Sequence, residues 1–327
     1  MYTSSAYRDV EPKCYEDDHI LEVENEIKRT FPDYFDKFIT SEAGSGISQE
    51  QFKKLQATFG AKNVVYQAKN NRGELLNRII KESIDEFLKD RPKYEAIFDM
   101  ESLEEYEDDA STFKSVVLKN QCPIIQKTIA NRKAKELDQY RIDFNTASAE
   151  YLLSVVTHLC EFGMQYYNEY DRDSYEDATS YKDLNLETLQ GDDYTAYGVI
   201  GGGIKTHMLF KMWPEVFSSR SRSALWALWH LTNKKTFGCN TDSEFLMINT
   251  SKIITQQNYF YPYPLFAWYA FVIYKLIKEE AQKLSVYIDP QYRYVIVDRF
   301  FDFVADQHAE QIALFQSQIA NGGRGYD

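Results

Sequence analysis

The spacing of apolar residues along this chain constrains its fold more than any other feature. Residues 73–89 place seven apolar side chains three or four positions apart, and residues 146–167 repeat this spacing over a longer stretch. Such spacing brings the apolar side chains to one face of an α-helix. Only EFLMI at 244–248 has the composition of a strand, and five residues are too few for an independent sheet. The sequence therefore predicts a mainly α protein with at most a small β element near 244–248.

Changes in composition divide the 327 residues into two helical halves separated by a long acidic loop. We predict an N-terminal helical arm and linker over 1–47, an acidic helical domain over 48–167, a long polar loop over 168–198, a helical aromatic-rich domain over 199–320 and a flexible tail over 321–327. Within the arm, HILEVENEIKRTF predicts one helix and PDYFDKFI a second, shorter one. Further helices are expected at 124–141, 204–213, 219–232, 264–284, 290–306 and 308–319.

The net charge of −13 excludes a protein that coats nucleic acid broadly, but the charge is unevenly distributed. Residues 201–327 hold 13 Lys and Arg against 11 Asp and Glu, a balance of +2, which leaves −15 for residues 1–200. Within residues 205–235, six basic side chains face one acidic side chain, a balance of +5. A small, focused site for an anion therefore remains compatible with the composition.

The cysteines and the longest uncharged stretch place the chain in a reducing, aqueous compartment. The four cysteines lie far apart and form no CxxC pair, so neither a disulfide framework nor a zinc ribbon is indicated. The N-terminus is polar and acidic, unlike a signal peptide. The run at 265–277, which is apolar apart from Lys275, is about 13 residues, whereas a membrane span needs roughly 20. We expect a cytoplasmic protein with a buried core helix there and no membrane partner.

A glycine-rich run before the helix predicted at 204–213 is the most informative short segment. Backbone N–H groups at a helix N-terminus attract phosphate, and adjacent glycines let it approach closely. The predicted phosphate-binding residues here are Gly201, Gly202, Gly203, Lys205 and Thr206, with His207 as the candidate catalytic proton-transfer group. Alternatively, the glycines serve a tight turn and close packing of the loop.

The same run resembles the phosphate-binding loop GxxxxGK[ST] only superficially. Ile204 stands between Gly203 and Lys205, one residue more than that motif allows. An inserted residue rotates the lysine by about 100° around a helix with 3.6 residues per turn. No apolar strand precedes the run either. A standard nucleoside triphosphatase is therefore excluded.

Two arginines near the start of the helix predicted at 219–232 extend the candidate phosphate site. Arg220 and Arg222 would fall in the first helical turn, where the helix dipole disfavours cations. A nearby phosphate or carboxylate would resolve that conflict, and the arginine fork suits paired oxygens. The partner is either a ligand or an acidic side chain from the first half of the same chain.

Two further patterns allow a binding role and a purely structural one. Tyr259, Tyr261 and Tyr263 precede a buried helix; exposed, they would stack bases or dock a peptide, and buried, they would form a rim of the core. Three aspartates lie four positions apart in the sequence: Asp298, Asp302 and Asp306. On a helix they would form a row that could bind a metal ion, or they could be the solvent-exposed face of an amphipathic helix. The cofactor is unknown, with a divalent cation as the one suggestion.

These patterns favour an intracellular protein that binds a phosphate-bearing ligand, either a nucleotide or a nucleic acid, in a basic pocket of the C-terminal half. Phosphodiester or nucleotide chemistry would be compatible with such a pocket, although the sequence does not decide whether the protein is an enzyme. The alternative is a non-enzymatic interaction subunit, in which the acidic half and the tyrosine-rich segment contact a protein partner.

Overall fold

The computed structural model describes residues 10–40, 72–132, 137–239, 244–249 and 254–322. The described chain is mainly α, as predicted. Its thirteen α-helices are α1 Asp17–Thr40, α2 Arg72–Glu95, α3 Met100–Glu105, α4 Ala110–Thr112, α5 Pro123–Ala130, α6 Asp138–Thr146, α7 Ala149–Glu169, α8 Arg172–Glu176, α9 Gly202–Met212, α10 Arg222–Leu231, α11 Tyr263–Lys283, α12 Arg293–Gln307 and α13 Ala309–Gly322. A π-helix spans Phe113–Gln121. The predicted linker after residue 40 and most of the predicted tail lie outside the described residues.

Among the described residues the β element is one hairpin, which agrees with the prediction of at most a small one. Strand β1, Leu246–Asn249, pairs antiparallel with β2, Ile254–Gln257, so that Leu246 lies opposite Gln257. The hairpin lies against α13 and α10. Two four-residue strands are not stable alone, so the hairpin depends on these helices for support.

Helix α1 packs against helices from the other end of the chain. Its buried face contacts α11, α10, α12 and α2. The rings of Phe31 and Phe38 each lie 5.4 Å from the ring of Phe300, measured between centroids. The prediction of two separate helices is wrong here, because α1 continues through Pro32. The buried aromatic residues keep their helical spacing on both sides of the proline. Burying that face stabilises the helix by more than the loss of the one backbone hydrogen bond that proline cannot donate.

The segment predicted as one helix at 124–141 is instead divided between α5 and α6. Helix α5 ends at Ala130, and α6 begins at Asp138 after residues outside the described part. The next helix begins slightly later than predicted, because Ser148 caps it and accepts a hydrogen bond from the Tyr151 amide at 3.1 Å. A serine side chain satisfies an amide that the helix leaves free at its N-terminus.

The long polar loop between the halves consists of short helices anchored in the core. Helix α8 and three 3₁₀ helices occupy most of it, and Leu184 and Leu189 are fully buried. Tyr175 is also buried, and its hydroxyl lies 2.5 Å from that of Tyr294. Glu176 pairs with the buried Arg293 at 2.9 Å. The segment 168–198 is therefore an ordered wall of the C-terminal half, and we call it the polar wall.

Helix α11 is the buried core helix that the uncharged stretch predicted, and all of its first twelve residues are buried. Within the described residues, no helix combines the length and the apolar character needed to cross a bilayer. The buried apolar side chains form one cluster that includes residues from both predicted halves. The predicted domain boundaries stay a prediction.

Candidate functional site

The glycine-rich run begins with a tight turn between the polar wall and α9. Ala196 and Ile200 pair across this turn, and the Ile200 amide donates to the Ala196 carbonyl at 2.7 Å. Gly198 adopts a φ of +81°, where a side chain would be strained, and a Cβ there would lie 2.5 Å from Asp143 Oδ2. This glycine therefore has a structural role.

The next three glycines start α9 with no side-chain cap. Gly201 is the N-cap residue and has open space beside its Cα, while Gly202 and Gly203 form the first helical turn. A Cβ at Gly202 would lie 1.6 Å from Nη2 of Arg220. Gly202 therefore makes room for a guanidinium from the chain itself, a role that the sequence pattern did not indicate.

Arg220 is a buried cation held by backbone oxygens. Its side chain is 5 % exposed, Nη1 donates to the Tyr261 carbonyl at 2.8 Å, and Nη2 donates to the Tyr259 carbonyl at 2.9 Å. Nε has no hydrogen-bond partner among the described residues. Burial lowers the pKa of Arg220 to about 10, so the group stays charged at neutral pH. The residue precedes α10, whose cap is Ser221, so its expected place in the first helical turn is wrong.

Lys205 is a second buried cation close to Arg220. Its ammonium donates to the Leu189 carbonyl and, at 2.8 Å, to the Thr195 hydroxyl. Burial and then the positive charge of Arg220 lower the pKa of Lys205 to about 8, while Asp192 opposes the shift. Two buried positive charges thus lie beside each other, held mainly by neutral oxygens.

Two other cations of the basic segment are paired with carboxylates of residues 1–200. Lys211 pairs with Asp90 at 2.6 Å, and Lys235 pairs with Glu26 at 2.7 Å. The segment's single carboxylate, Glu215, is occupied by an arginine of the polar wall. Among the described residues, by contrast, neither Lys205 nor Arg220 has a carboxylate within ion-pair distance.

Two adjoining cavities surround Arg220. The smaller, which we call the cationic cavity, is about 180 Å³ and is lined by Lys205, Arg220, Asp192, Thr195, Tyr261 and Tyr263 among others. The larger, the aromatic cavity, is about 610 Å³ and is lined by Tyr140, Tyr197, Leu225, Gln257, Tyr259 and Phe260 together with the three glycines. Six residues border both cavities: Thr195, Tyr197, Gly202, Arg220, Tyr259 and Phe260. The phosphate-site residues predicted from the sequence are therefore largely brought together.

Buried polar atoms without partners line the aromatic cavity. Gln257 is 1 % exposed, and neither atom of its side-chain amide has a hydrogen-bond partner among the described residues. The buried hydroxyl of Tyr140 likewise has none there. A buried polar group left unpaired is destabilising by about 1–3 kcal/mol, which makes such groups suited to a polar ligand. Neither residue stands out in the sequence, because they come from β2 and α6.

Thr206 and His207 support the site in different ways. The Thr206 hydroxyl donates to the Gly202 carbonyl at 2.7 Å and accepts from the Arg220 amide at 3.1 Å, so it joins α9 to the segment before α10. His207 borders the aromatic cavity, and its Nδ1 lies 3.2 Å from the Ser219 hydroxyl. Burial, and then the charge of Lys211, lower the pKa of His207 to about 3. An imidazole with this pKa is poorly matched to proton transfer at neutral pH.

The remaining predicted contacts are divided between surface and core. Arg222 lines the aromatic cavity in the first turn of α10, and its side chain is exposed. Tyr259 is 42 % exposed, whereas Tyr261 and Tyr263 are buried, which corresponds to the interpretation of these two as part of the core. The segment therefore offers one accessible ring in place of a three-ring platform.

The predicted aspartate row of α12 is separate from both cavities. Asp298 and Asp302 are partly buried in a polar cleft of about 640 Å³, while Asp306 is exposed. Burial, and then the charge of Asp302, raise the pKa of Asp298 well above its ordinary range. Within the described chain, the three carboxylates do not meet at one point as metal ligands would.

Comparison with known proteins gives no relative for this architecture: no family model, no curated protein and no solved structure matches the chain.

Proposed function

We propose that this protein binds a phosphate-bearing small ligand of nucleotide size, with the phosphate in the cationic cavity and the remainder in the aromatic cavity. The observation that carries the proposal is the buried pair of Lys205 and Arg220 beside the uncapped start of α9. Both side chains are 5 % exposed, and neither has a carboxylate partner among the described residues. Two desolvated cations side by side repel each other, and an anion between them would remove that repulsion.

The helix N-terminus adds to the same attraction. Gly201 supplies no capping side chain, and the space beside it is open. Backbone amides at such a terminus carry partial positive charge and bind phosphate oxygens. The partly free guanidinium of Arg220 borders this terminus across Gly202. The anion site therefore combines two side-chain cations with helical amides.

The aromatic cavity suits the rest of a nucleotide. Its volume of about 610 Å³ is within the usual range for small-molecule sites. Rings such as Tyr259 and Phe260 offer stacking surfaces, and the unpaired amide of Gln257 can both donate to and accept from a base edge. A bare phosphate would use only the cationic end.

The proposal concerns binding and assigns no reaction. With a pKa near 3, His207 acts in this site as a neutral hydrogen-bonding group. We place the binding event in the cytoplasm, with a free nucleotide as the partner; the free state of all four cysteines supports a reducing compartment. The interaction-subunit alternative loses two of its three docking tyrosines, because Tyr261 and Tyr263 are buried.

Calorimetric titration of the full chain at low salt tests the proposal. The probes are the ribonucleoside 5′-monophosphates, the matching nucleosides and inorganic phosphate. Lys205→Met should weaken nucleotide and phosphate binding by roughly tenfold or more, because a charge-assisted hydrogen bond is worth about 1.5–3 kcal/mol. Gln257→Leu should weaken nucleotide binding and leave phosphate binding unchanged.

Lys234→Met is the matched control, since it removes one charge from the same basic segment outside the cavities, where the ammonium donates to Gln311 at 2.9 Å. Circular dichroism confirms that each variant folds. Absence of binding by every mononucleotide at low salt would refute the proposal, as would equal effects of Lys205→Met and Lys234→Met. Binding of a labelled oligonucleotide with no binding of mononucleotides would assign the site to nucleic acid instead.

A further inference from the structure

Three potential metal ligands meet outside the two cavities around Arg220. The side chains of Cys14, His19 and Cys239 place one ligand atom each within 4.8 Å of one another, and within the described residues this is the one such group. Cys14 and Cys239 are 225 positions apart in the chain, and their sulfurs are 3.9 Å apart. Cys14 and His19 are buried, and Cys239 is partly exposed.

The separation of the sulfurs fits shared coordination. Two thiolates bound 2.3 Å from a tetrahedral zinc ion lie about 3.8 Å apart. The sulfurs of Cys14 and Cys239 already have this spacing, so a metal would require little movement. A covalent bond between them would need the sulfurs to approach to about 2 Å.

The orientation of His19 supplies an independent indication. Its Nε2 lies 3.0 Å from Oε2 of the buried Glu244, whose other oxygen accepts hydrogen bonds from the hydroxyls of Tyr261 and Tyr269. Nδ1 of His19 has no partner among the described residues, although the side chain is 3 % exposed. Histidines that bind metals commonly donate their second N–H to a carboxylate, which fixes the tautomer and the ring.

We propose that Cys14, Cys239 and Nδ1 of His19 bind a zinc ion, with Glu244 as the carboxylate that orients the histidine. Sulfur and imidazole nitrogen are the ligands that zinc prefers, and a fourth position remains for water or another oxygen donor. Two thiolates neutralise the charge of the ion.

The ion would join two distant parts of the chain. Cys14 lies in the 3₁₀ helix Pro12–Tyr15, His19 lies at the start of α1, and Cys239 lies in the turn that follows α10. Metal binding would therefore fasten the N-terminal segment to the C-terminal half, and the binding energy would add to the folding energy. The sequence did not indicate this site, because zinc ligands are recognised by short CxxC spacings that are absent here.

Metal analysis of the purified full chain tests the proposal. After dialysis against metal-free buffer, mass spectrometry should find about one zinc per chain. Replacing Cys14 and Cys239 together with serine should abolish zinc retention. The matched control replaces Cys122 and Cys160 with serine, since both are buried away from the site, and it should retain the ion.

A second measurement applies even if the double variant fails to fold. Cobalt added to metal-depleted wild-type protein should produce the near-ultraviolet absorption of thiolate-bound cobalt, and His19→Gln should alter the visible bands. Wild-type protein without zinc and without that absorption would overturn the proposal. Recovery of a Cys14–Cys239 disulfide in place of metal would overturn it too, as would zinc retention by the folded double-serine variant.

Discussion

Replacing Gly202 with alanine should destabilise the protein far more than replacing its neighbour Gly203. The added Cβ would lie 1.6 Å from Nη2 of Arg220, so the guanidinium would have to leave its position. At Gly203 the nearest atom is the Arg220 carbonyl oxygen at 3.5 Å, an ordinary contact. Both glycines are in the first turn of α9, so the gain in helix propensity is similar for the two variants.

The expected magnitude follows from what the displaced guanidinium loses. Its hydrogen bonds to the carbonyls of Tyr259 and Tyr261 measure 2.9 and 2.8 Å, and each charged bond contributes about 1.5–3 kcal/mol. Alanine returns at most about 1 kcal/mol through helix propensity. We therefore expect Gly202→Ala to lower the free energy of unfolding by about 2–5 kcal/mol, and Gly203→Ala to leave it unchanged or slightly raised.

Urea denaturation followed by tryptophan fluorescence measures both values. A double-mutant cycle with Arg220→Ala identifies the cause: without the guanidinium there is no clash, so Gly202→Ala should then be neutral or mildly stabilising. If Gly202→Ala destabilises the Arg220→Ala protein as much as it does the wild type, the close approach of Gly202 and Arg220 is not responsible. Equal effects of the two glycine variants would lead to the same conclusion.

Three further predictions concern protonation and packing. Because the pKa of Lys205 is about 8, nucleotide affinity measured by calorimetry should fall as the pH rises from 7 to 9, and Lys205→Met should remove this dependence. Burial lowers the pKa of His230, which stacks on His308, to about 3. As the pH falls, His230 is therefore protonated in the unfolded chain before it is protonated in the folded one. The free energy of unfolding should decline below about pH 6.5 by up to about 1.4 kcal/mol per pH unit. The decline should be less steep in His230→Phe. Gly163→Ala should lower the thermal midpoint, because its Cβ would lie 2.0 Å from the Trp213 ring and overpacking is destabilising by about 1–3 kcal/mol; an unchanged midpoint would contradict that contact.

Helices were the most predictable part of this fold, because their apolar spacing is local. Helices α2, α7 and α11 follow the periodicity of the sequence within a few residues at most ends. The ordered polar wall was not predictable in the same way. Its buried leucines, Leu184, Leu186 and Leu189, stand among polar residues, and the short helices that carry two of them pack against α11, which is distant in sequence. Because most residues of the segment are polar, its composition predicts a solvent-exposed loop and does not reveal which of its side chains are buried.

In the candidate site, too, the contacts between residues adjacent in sequence were predictable, and the contacts between residues distant in sequence were not. The proximity of Lys205 to the glycine run was visible in the sequence, since these residues are adjacent. The role of Gly202 was not, because its neighbour Arg220 is brought to it by the segment before α10. Gln257 contributes through β2, and Cys239 reaches Cys14 across 225 positions. Residues that the fold brings together in this way have no fixed separation in the sequence, so no sequence motif identifies them.

The packing of α1 has a consequence for the order in which the chain is synthesised. Its phenylalanine face is covered by Phe300 and Phe303 of α12, about 270 residues later. At about 5–20 residues per second, a ribosome needs roughly 13–54 s to reach that helix. During this interval the stripe on α1 lacks its final cover and is available to chaperones or to aggregation. A chain interrupted before α12 would leave this part of the α1 face permanently uncovered, although α2, α10 and α11 cover the rest of it.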